Sequence, residues 1–399
     1  MNRSHNSHFG ADMKEDRAIV FHCNRDYIFA LGSMIYNLEE RSVSYNRIIV
    51  YTNFHDDSIF KEFIDINERI EFIYYPLDAF INEFNIDITN RNIKSYIERY
   101  THLCYIKLKI FELLARYRHV LFMDLDMYVA ENFDELFALD CDIAWRCGVT
   151  LLTKFAKSNL DLRNIPYLRD ADTTTSAPNG GFILVNDSLA YDDIYRFSKE
   201  FFCKYIGFFN STIDEIVFAV AVLCKKLRLI KLDPQMYNTP LQLFTEKAKI
   251  IHFIGRETKP WSNILFQRLF PGWLENYRRF AEKTHFVSDK IRDPETMELS
   301  SCRMELTYGD TQKYGITYQI RPDRSVQCFL TFNAERYLFD RAIVHNFNQI
   351  CGRSEQEHGG AARSGMLSPE KLLRIVEYLQ EQLGNVALRE TRGSNDSAR

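Results

Sequence analysis

Two aspartates separated by one residue follow a short apolar strand. Val120–Met123 predicts a buried strand, and Asp124 and Asp126 stand at its end. Because side chains two residues apart in a strand point to the same face, both carboxylates can reach one hard cation or its bound water. Acidic residues also end strands as simple turn formers. The pattern therefore allows two interpretations, a divalent-cation site or a turn.

A histidine ends another short apolar stretch, and a glycine and a lysine follow it. Gly255 and Lys259 come three and seven residues after His252. A lone strand histidine is more often a core residue, but the glycine and lysine close behind it favour a ligand. Two carboxylates and one imidazole suit Mn²⁺ or Mg²⁺ better than a closed zinc site. A lysine at this spacing can place its ammonium on a diphosphate.

Polar groups also stand at the ends of two further strands. Asn24 follows the apolar stretch Ala18–Cys23, and Asn179-Gly180-Gly181 precedes Phe182–Asn186. Glycines before a strand either make a turn or let the backbone approach a ligand closely. In an α/β sheet, ligands bind where such strand ends meet. We therefore expect these groups to share one cleft with the aspartates.

Apolar strands alternate with helical patterns along this part of the chain, which predicts an α/β sheet. We expect one helix over Asn92–Tyr117 and others over Leu189–Tyr205 and Ile213–Leu227, with a long polar loop over Lys154–Ala177. Lys107, in the first of these helices, is by default a solvated charge, but it could also reach the cleft. Asp214 and Glu215 open the third, where acidic residues are most often present for the helix dipole.

Composition excludes several classes of protein. The chain has 399 residues, 46% hydrophobic and 26% charged, and a net charge of -4, which argues against a general nucleic-acid binder. Its polar start lacks the apolar centre of a signal peptide, and no stretch is long enough for a membrane span. The 9 scattered cysteines are typical of reduced core residues. We therefore expect a cytoplasmic protein.

The motifs taken together resemble a known family. Strand-Asp-x-Asp, then Asn-Gly-Gly, then His252-x-x-Gly255-x-x-x-Lys259-Pro260-Trp261 are similar in kind and order to the retaining glycosyltransferases of family 8. That family includes glycogenin and bacterial lipopolysaccharide galactosyl- and glucosyltransferases. The resemblance covers about residues 17 to 265. It implies a GT-A fold, a Rossmann-like mixed sheet flanked by helices, that uses a UDP-sugar and a divalent cation, usually Mn²⁺.

The resemblance also assigns roles to individual residues. It makes Asp124, Asp126 and His252 the metal ligands. The catalytic group is Lys107, Asp214 and Glu215, and Asp214 and Glu215 line the sugar with Asn179 and Gly180. Tyr27 would stack on uracil, and Gly255 and Lys259 would hold the diphosphate. The residues that the resemblance assigns to donor binding are Asn24, Tyr27, Lys107, Asp124, Leu125, Asp126, Asn179, Gly180, Gly255 and Lys259.

Two departures from the family pattern matter. Three residues separate Gly255 from Lys259 where the family usually has two, and Glu215 stands where the family usually has glutamine. A carboxylate at that position could attack the anomeric carbon. It could equally bind a sugar hydroxyl as the amide does, and we favour this second role.

The remaining chain predicts an accessory region. We divide the chain into a GT-A domain over 17–285, an antiparallel β-containing region over 286–350, a linker over 351–367, an amphipathic helix over 368–390 and a disordered tail over 391–399. The basic, aromatic stretch Phe266–Phe286 fits a helix packed on the catalytic domain, which we favour, or a helix at the inner-membrane surface. The apolar stripe of the last helix needs a partner, within the chain or in a second copy.

We therefore predict a retaining hexosyltransferase that moves glucose or galactose from a UDP-sugar to a saccharide acceptor such as lipopolysaccharide or surface polysaccharide. A haloacid-dehalogenase-type phosphatase also ends a strand in Asp-x-Asp, but that class has Thr or Val where this chain has Tyr128. A non-catalytic nucleotide-sugar binding protein is the third alternative.

Overall fold

The chain folds into two compact units. A computed structural model describes residues 14–156, 158, 160, 165–169, 171–209, 213–243, 247–255, 259–262, 267 and 270–291, and the backbone of five strands beyond residue 300. One unit comprises Met1–His252 with Asn276–Phe286, and the other comprises Phe253–Glu275 with Val287–Arg399. The predicted domain over 17–285 thus contains a stretch, 253–275, that groups with the second unit.

A seven-stranded mixed sheet forms the centre of the first unit. Its strands are β1 (Glu15–Cys23), β2 (Arg47–Thr52), β3 (Ile70–Tyr74), β4 (Tyr117–Met123), β6 (Ile143–Thr150), β7 (Ser176–Asn186) and β8 (Leu229–Lys231), and the short strand β5 (Met127–Val129) lies outside it. The order is β3-β2-β1-β4-β7-β6-β8, in which only β7 is antiparallel to its neighbours. The predicted α/β class, the helix-flanked mixed sheet of a GT-A fold, is confirmed.

Helices cover both faces of this sheet. They are α1 (Ile28–Glu40), α2 (Asp57–Ile66), α3 (Leu77–Phe84), α4 (Arg91–Tyr100), α5 (Ile110–Leu113), α6 (Leu151–Ala156), α7 (Tyr191–Tyr205), α8 (Ile213–Lys225) and α9 (Pro271–Thr284). In β1, Ala18 and Val20 belong to one apolar cluster while Ile19 and Phe21 belong to another. Alternate side chains of the strand therefore supply two separate cores, as a sheet buried on both faces requires.

The crevice between β1 and β4 is the point at which the order of strands reverses. From β1 the chain proceeds through β2 to β3 on one side, and β4 then pairs with the other side of β1. Because β1 and β4 are parallel, Asn24 and Asp124, which follow them, lie at the same edge of the sheet. Ligands of open α/β sheets bind at such a point.

A second, three-stranded sheet extends from the end of β4. Strand β10 (Ile250–His252) pairs antiparallel with β5 and parallel with β9 (Thr239–Pro240). In this register His252 lies opposite Met127, the residue after Asp126. A strand separated from the aspartates by more than a hundred residues thus places the imidazole beside them.

The single helix predicted over Asn92–Tyr117 is wrong. Helix α4 ends at Tyr100, a 3₁₀ helix covers His102–Lys109, and α5 covers only Ile110–Leu113. Thr101, with a φ of 64°, interrupts the α-helix, and its hydroxyl accepts a hydrogen bond from the Leu103 N–H at 3.3 Å. The break places Lys107 in a buried 3₁₀ segment instead of on a solvated helix face.

The later half of α9 packs on the first unit. Phe280 is buried with its ring 5.0 Å from that of Phe63, and Tyr277 meets Phe29 edge-on at 6.3 Å. The structure thus shows a packed helix here, the interpretation favoured from the sequence. None of the described helices combines the length and apolar character that a membrane crossing requires.

The second unit contains a five-stranded antiparallel sheet in the order β14-β13-β12-β11-β15. Its strands are β11 (Ser301–Tyr308), β12 (Thr311–Ile320), β13 (Val326–Phe332), β14 (Ala362–Leu367) and β15 (Val386–Arg392). Strand β14 lies in the predicted linker, and β15 replaces the end of the predicted helix and the start of the predicted tail. Strand β14 pairs with β13, and β15 pairs with β11. These partners are distant in the sequence, so the local pattern of apolar residues could not predict the pairing. Residues 368–385, the rest of that helix, lie outside the described residues.

The packing of Gly32 against Phe280 gives a first prediction. A Cβ at Gly32 would overlap the Phe280 ring, so we expect Gly32→Ala to lower the free energy of unfolding by about 1–3 kcal/mol despite the better helix propensity of alanine. Chemical denaturation of the wild type, Gly32→Ala, Phe280→Leu and the double variant measures this. The double variant should be more stable than the sum of the single changes implies, and strict additivity would contradict the contact.

Candidate active site

The two aspartates and the histidine of the sequence motifs lie together in the first unit. One ligand atom from each of Asp124, Asp126 and His252 lies within 4.8 Å of the others. The His252 Nε2 atom is 3.2 Å from Asp126 Oδ1 and 3.9 Å from Asp124 Oδ2. Ligands on opposite sides of a Mn²⁺ or Mg²⁺ ion lie about 4–5 Å apart. The spacing and the oxygen and nitrogen donors therefore fit a hard or borderline divalent cation.

A buried asparagine fixes the orientation of the histidine ring. The Nδ1 atom of His252 lies 2.7 Å from Asn238 Oδ1, and Asn238 Nδ2 in turn donates to Asn179 Oδ1 at 3.1 Å. The amide oxygen can only accept, so the Nδ1–H of His252 donates to it, and Nε2 faces the aspartates in a position to ligate a cation placed between them. The local sequence around Asn238 contains no signal for this role. Asn238 has a left-handed φ of 53°.

Position 181 has room only for glycine, because its backbone passes directly beside Asp124 and His252. A Cβ there would lie 2.8 Å from Asp124 Oδ2 and would overlap the His252 ring. The Gly181 carbonyl also accepts a hydrogen bond from the Asp124 N–H at 2.8 Å. The second glycine of the Asn-Gly-Gly stretch thus leaves room for the cluster, and a larger residue would displace its members.

Lys107 connects the aspartate pair to a second acidic group. Its Nζ lies 3.3 Å from Asp214 Oδ2 and 3.9 Å from Asp124 Oδ1. Burial alone would lower the pKa of Lys107, but Asp124, Asp214 and Glu215 outweigh that effect and raise the pKa above its ordinary value. Lys107 is therefore a cation at neutral pH. Asp214 is also buried, and its Oδ1 makes no hydrogen bond within the described part of the chain.

Glu215 is held by two groups on its other side. Its Oε1 accepts a hydrogen bond from the Gly180 N–H at 2.8 Å, and its Oε2 pairs with the Lys154 ammonium. Asp214 and Glu215 stand in the first turn of α8, as predicted, but both are buried instead of serving as exposed helix-dipole charges. Lys154 was predicted to lie in a polar loop, whereas it belongs to the short helix α6.

His22 is a further group near the cleft that the sequence analysis did not identify. Burial and the nearby Lys107 ammonium lower the pKa of His22 to about 3, so its ring is neutral at pH 7. The ring stacks on Phe122 at 5.6 Å, and Lys107 lies over that same phenyl ring. His22 lies within the apolar stretch that predicts β1, and an apolar strand pattern gives no indication of function.

The proposed uridine contacts lie at the end of β1. Asn24 has a buried Oδ1 atom without a hydrogen-bond partner among the described residues, and Tyr27 is 37% exposed. An exposed phenol ring offers a face on which a base can stack. Leu125, between the two aspartates, is partly buried against the apolar cluster below them.

Gly255 and Lys259 belong to the second unit. Gly255 has a φ of 104°, which only glycine adopts readily. Lys259 Nζ donates to the Phe253 carbonyl at 2.6 Å and lies 5.9 Å from the centre of the Trp261 ring. Their assignment to the diphosphate stays a prediction from the resemblance.

Comparison with protein families gives one match. Residues 18–186 match the family model described as Glycosyl transferase family 8. The predicted resemblance is thereby confirmed over the segment that contains the aspartate pair and the Asn-Gly-Gly stretch. No curated protein sequence matches the chain significantly.

Several solved structures are similar in fold at low identity. The WbbM bifunctional glycosyltransferase in its apo form is 14% identical with a TM-score of 0.48, over 69% of this chain and 53% of WbbM. The galactosyltransferase LgtC, in complex with donor and acceptor sugar analogues, is 16% identical with a TM-score of 0.44, over 68% of this chain and 98% of LgtC. The glycosyltransferase GlyE of Streptococcus pneumoniae, in its apo form, is 16% identical with a TM-score of 0.40, over 68% of this chain and 63% of GlyE. Since the TM-scores of these three structures are below 0.5, they carry no argument, and the family resemblance rests on the model that matches residues 18–186.

The role of Asn238 can be tested by metal binding without any substrate. Asn238→Gly removes the partner of His252 Nδ1 and tolerates the left-handed φ, so we expect Mn²⁺ affinity to fall about 10–100-fold. Electron paramagnetic resonance of free Mn²⁺ measures the affinity.

Asn238→Asp is the matched control, because it keeps an oxygen acceptor for the imidazole and should retain Mn²⁺ binding. Wild-type affinity in Asn238→Gly, at an unchanged melting temperature, would show that the hydrogen bond does not orient the ligand.

Proposed function

We propose that the protein transfers a hexose, glucose or galactose, from a UDP-sugar to a saccharide acceptor with retention at the anomeric carbon, because residues 18–186 match the family model of glycosyltransferase family 8. The reaction uses a divalent cation, Mn²⁺ or Mg²⁺, held by Asp124, Asp126 and His252. The main support is the convergence of these three side chains beside the buried pair Asp214 and Glu215. Lipopolysaccharide or surface polysaccharide remains the acceptor class we favour, and a cytoplasmic location remains a prediction.

The residues around the cation would act on the two ends of the bond that breaks. A divalent cation at the three ligands supplies positive charge to the diphosphate as it leaves. Lys107 adds a fixed ammonium between this site and Asp214. The leaving phosphate oxygen can take the proton of the acceptor hydroxyl, so the reaction needs no separate protein base.

The sugar would lie on the side of Asp214 and Glu215. The unpartnered Oδ1 of Asp214 is buried, and a buried acceptor without a donor costs free energy that a sugar hydroxyl can recover. Glu215 has both oxygens engaged, by Gly180 and Lys154. That arrangement favours a positioning and hydrogen-bonding role for Glu215 over attack on the anomeric carbon, because attack would require Glu215 to leave the Lys154 ammonium.

Release of UDP from a panel of UDP-sugars tests the proposed function. We expect the purified protein to consume UDP-glucose or UDP-galactose with Mn²⁺, to lose activity with a chelator and to regain it when Mn²⁺ is restored. Asp126→Asn should lower the rate about a hundredfold or more, because it removes a charge that holds the cation. Glu98→Gln, at an exposed carboxylate on α4, is the control that should not change the rate. Equal rates in Asp126→Asn and the wild type, or binding without turnover, would contradict the proposal.

The role of Glu215 requires a pair of variants. Glu215→Gln alone also removes the carboxylate that pairs with the partly buried Lys154 ammonium, so a loss of activity could come from either residue. We therefore expect Lys154→Met combined with Glu215→Gln to keep the rate of UDP release within about tenfold of the wild type, since the amide oxygen still accepts from Gly180. Near-total loss in the double variant, at normal stability and Mn²⁺ affinity, would instead indicate that the carboxylate attacks the sugar.

A further inference from the structure

Arg146 has no acidic partner, although much of it is buried. It occurs in no ion pair with any described residue, and its only hydrogen bond runs from Nη1 to the carbonyl of the next residue, Cys147, at the long distance of 3.5 Å. Its Nε is buried without a partner in the described part of the chain. A buried guanidinium without a counter-ion is costly, and such groups are normally paired with an anion.

The topology places Arg146 at the same edge of the sheet as the aspartates. Strands β4 and β6 are both antiparallel to β7, so they run in the same direction. Trp145 pairs with Ile183, and the next pair joins Cys147 to Pro178. On the side of β6, residues 179–182, which contain the Asn-Gly-Gly stretch, therefore stand opposite Arg146 alone, at an irregularity in the register. The backbone of Arg146 thus lies next to the segment that contacts both halves of the cleft.

Within the described part of the chain, the two lysines near the cleft form ion pairs with carboxylates, whereas Arg146 forms none. Lys107 is matched by Asp214 and Asp124, and Lys154 by Glu215. Both oxygens of Glu215 are already engaged. Burial lowers the pKa of Arg146, and the more distant Glu215 carboxylate opposes this only in part. Among the described residues, Arg146 thus forms no direct ion pair with a carboxylate, although Glu215 acts on it from a distance.

The distance from the aspartates indicates which part of the substrate could supply the anion. Strand β6 is two strands from β4, about 10 Å across the sheet. In the proposed function the diphosphate binds at the end of β4, where a cation meets its charge. Gly180, in the segment opposite Arg146, donates to Glu215, and Glu215 also acts electrostatically on Arg146. Arg146 is therefore on the side where the sugar is proposed to bind, and a group that reaches it belongs to the saccharide.

We propose that Arg146 forms a second subsite that binds an oxyanion on a saccharide substrate, a carboxylate or a phosphate carried by the acceptor or by the transferred sugar. This rests on the proposed function and narrows its substrate class to acidic sugars. A guanidinium is suited to the role because its planar fork binds both oxygens of a carboxylate or phosphate.

Matched pairs of neutral and acidic probes test the subsite by calorimetry in the presence of Mn²⁺. UDP-glucose and UDP-glucuronate differ by one carboxylate on the donor. Glucose and glucose 6-phosphate, added with UDP, differ by one phosphate on the acceptor side. We expect the wild type to bind the acidic member of one pair about tenfold or more tightly, and the pair that shows this preference identifies the source of the anion.

Three variants assign the preference to Arg146. Arg146→Met should abolish it, Arg146→Lys should keep part of it, and Arg196→Met, at an exposed arginine on α7, should leave it unchanged. UDP affinity should be the same in all of them. Arg146→Met should also melt no lower than the wild type, because it removes an unpaired buried charge.

Several results would overturn the subsite. These are no acidic preference in the wild type, a preference that survives in Arg146→Met, an equal loss of UDP affinity, or a melting temperature lowered by that variant. If the wild type bound UDP and released it from a UDP-sugar but showed no acidic preference, the subsite alone would fail. If the wild type bound no UDP with Mn²⁺, both proposals would fail together.

Discussion

The pairing of two three-residue strands underlies the candidate site. Strand β10 aligns antiparallel with β5, so that His252 lies opposite Met127 and beside Asp126. The remaining contacts refine this alignment, since Asn238 selects the imidazole tautomer and Gly181 leaves the space. A shift of one residue in this register would point the imidazole to the other face of the strand and remove it from the carboxylates.

The cleft is organised by charges that need one another. The ammonium of Lys107 is buried, and the nearby carboxylates of Asp124 and Asp214 offset the free-energy cost of burying its charge. Those carboxylates in turn would repel each other without a cation between them. The result is a largely buried polar network, in which electrostatic interactions are stronger than in water and a developing negative charge can be stabilised.

The Asn-Gly-Gly stretch joins the two halves of this network. Gly180 donates its N–H to Glu215, Gly181 accepts from the Asp124 N–H, and Asn179 binds Asn238. Three consecutive residues therefore contact the cluster of Asp124, Asp126 and His252, the acidic pair and the asparagine behind the histidine. A side chain at Gly180 or Gly181 would crowd these groups, which explains why both positions are glycine.

The sequence by itself determined the α/β class, most strand positions and the identity of the three candidate ligands. Those features depend on local patterns: apolar runs, strand-terminal acids, and a histidine followed closely by glycine and lysine. It misjudged the helix over Asn92–Tyr117 and the β-strands at both ends of the last predicted helix, because Thr101 and distant strand partners override local periodicity.

Only the tertiary structure decided which polar residues meet. Asn238, Lys154, His22 and Arg146 lie in stretches whose local pattern is that of an ordinary strand, loop or short helix. Their importance comes from partners far along the chain, or from the absence of a partner among the described residues. Burial, tautomer and charge pairing depend on the residues that surround a group in the folded protein. The sequence therefore determined which functional side chains are present, and packing determined how they are arranged.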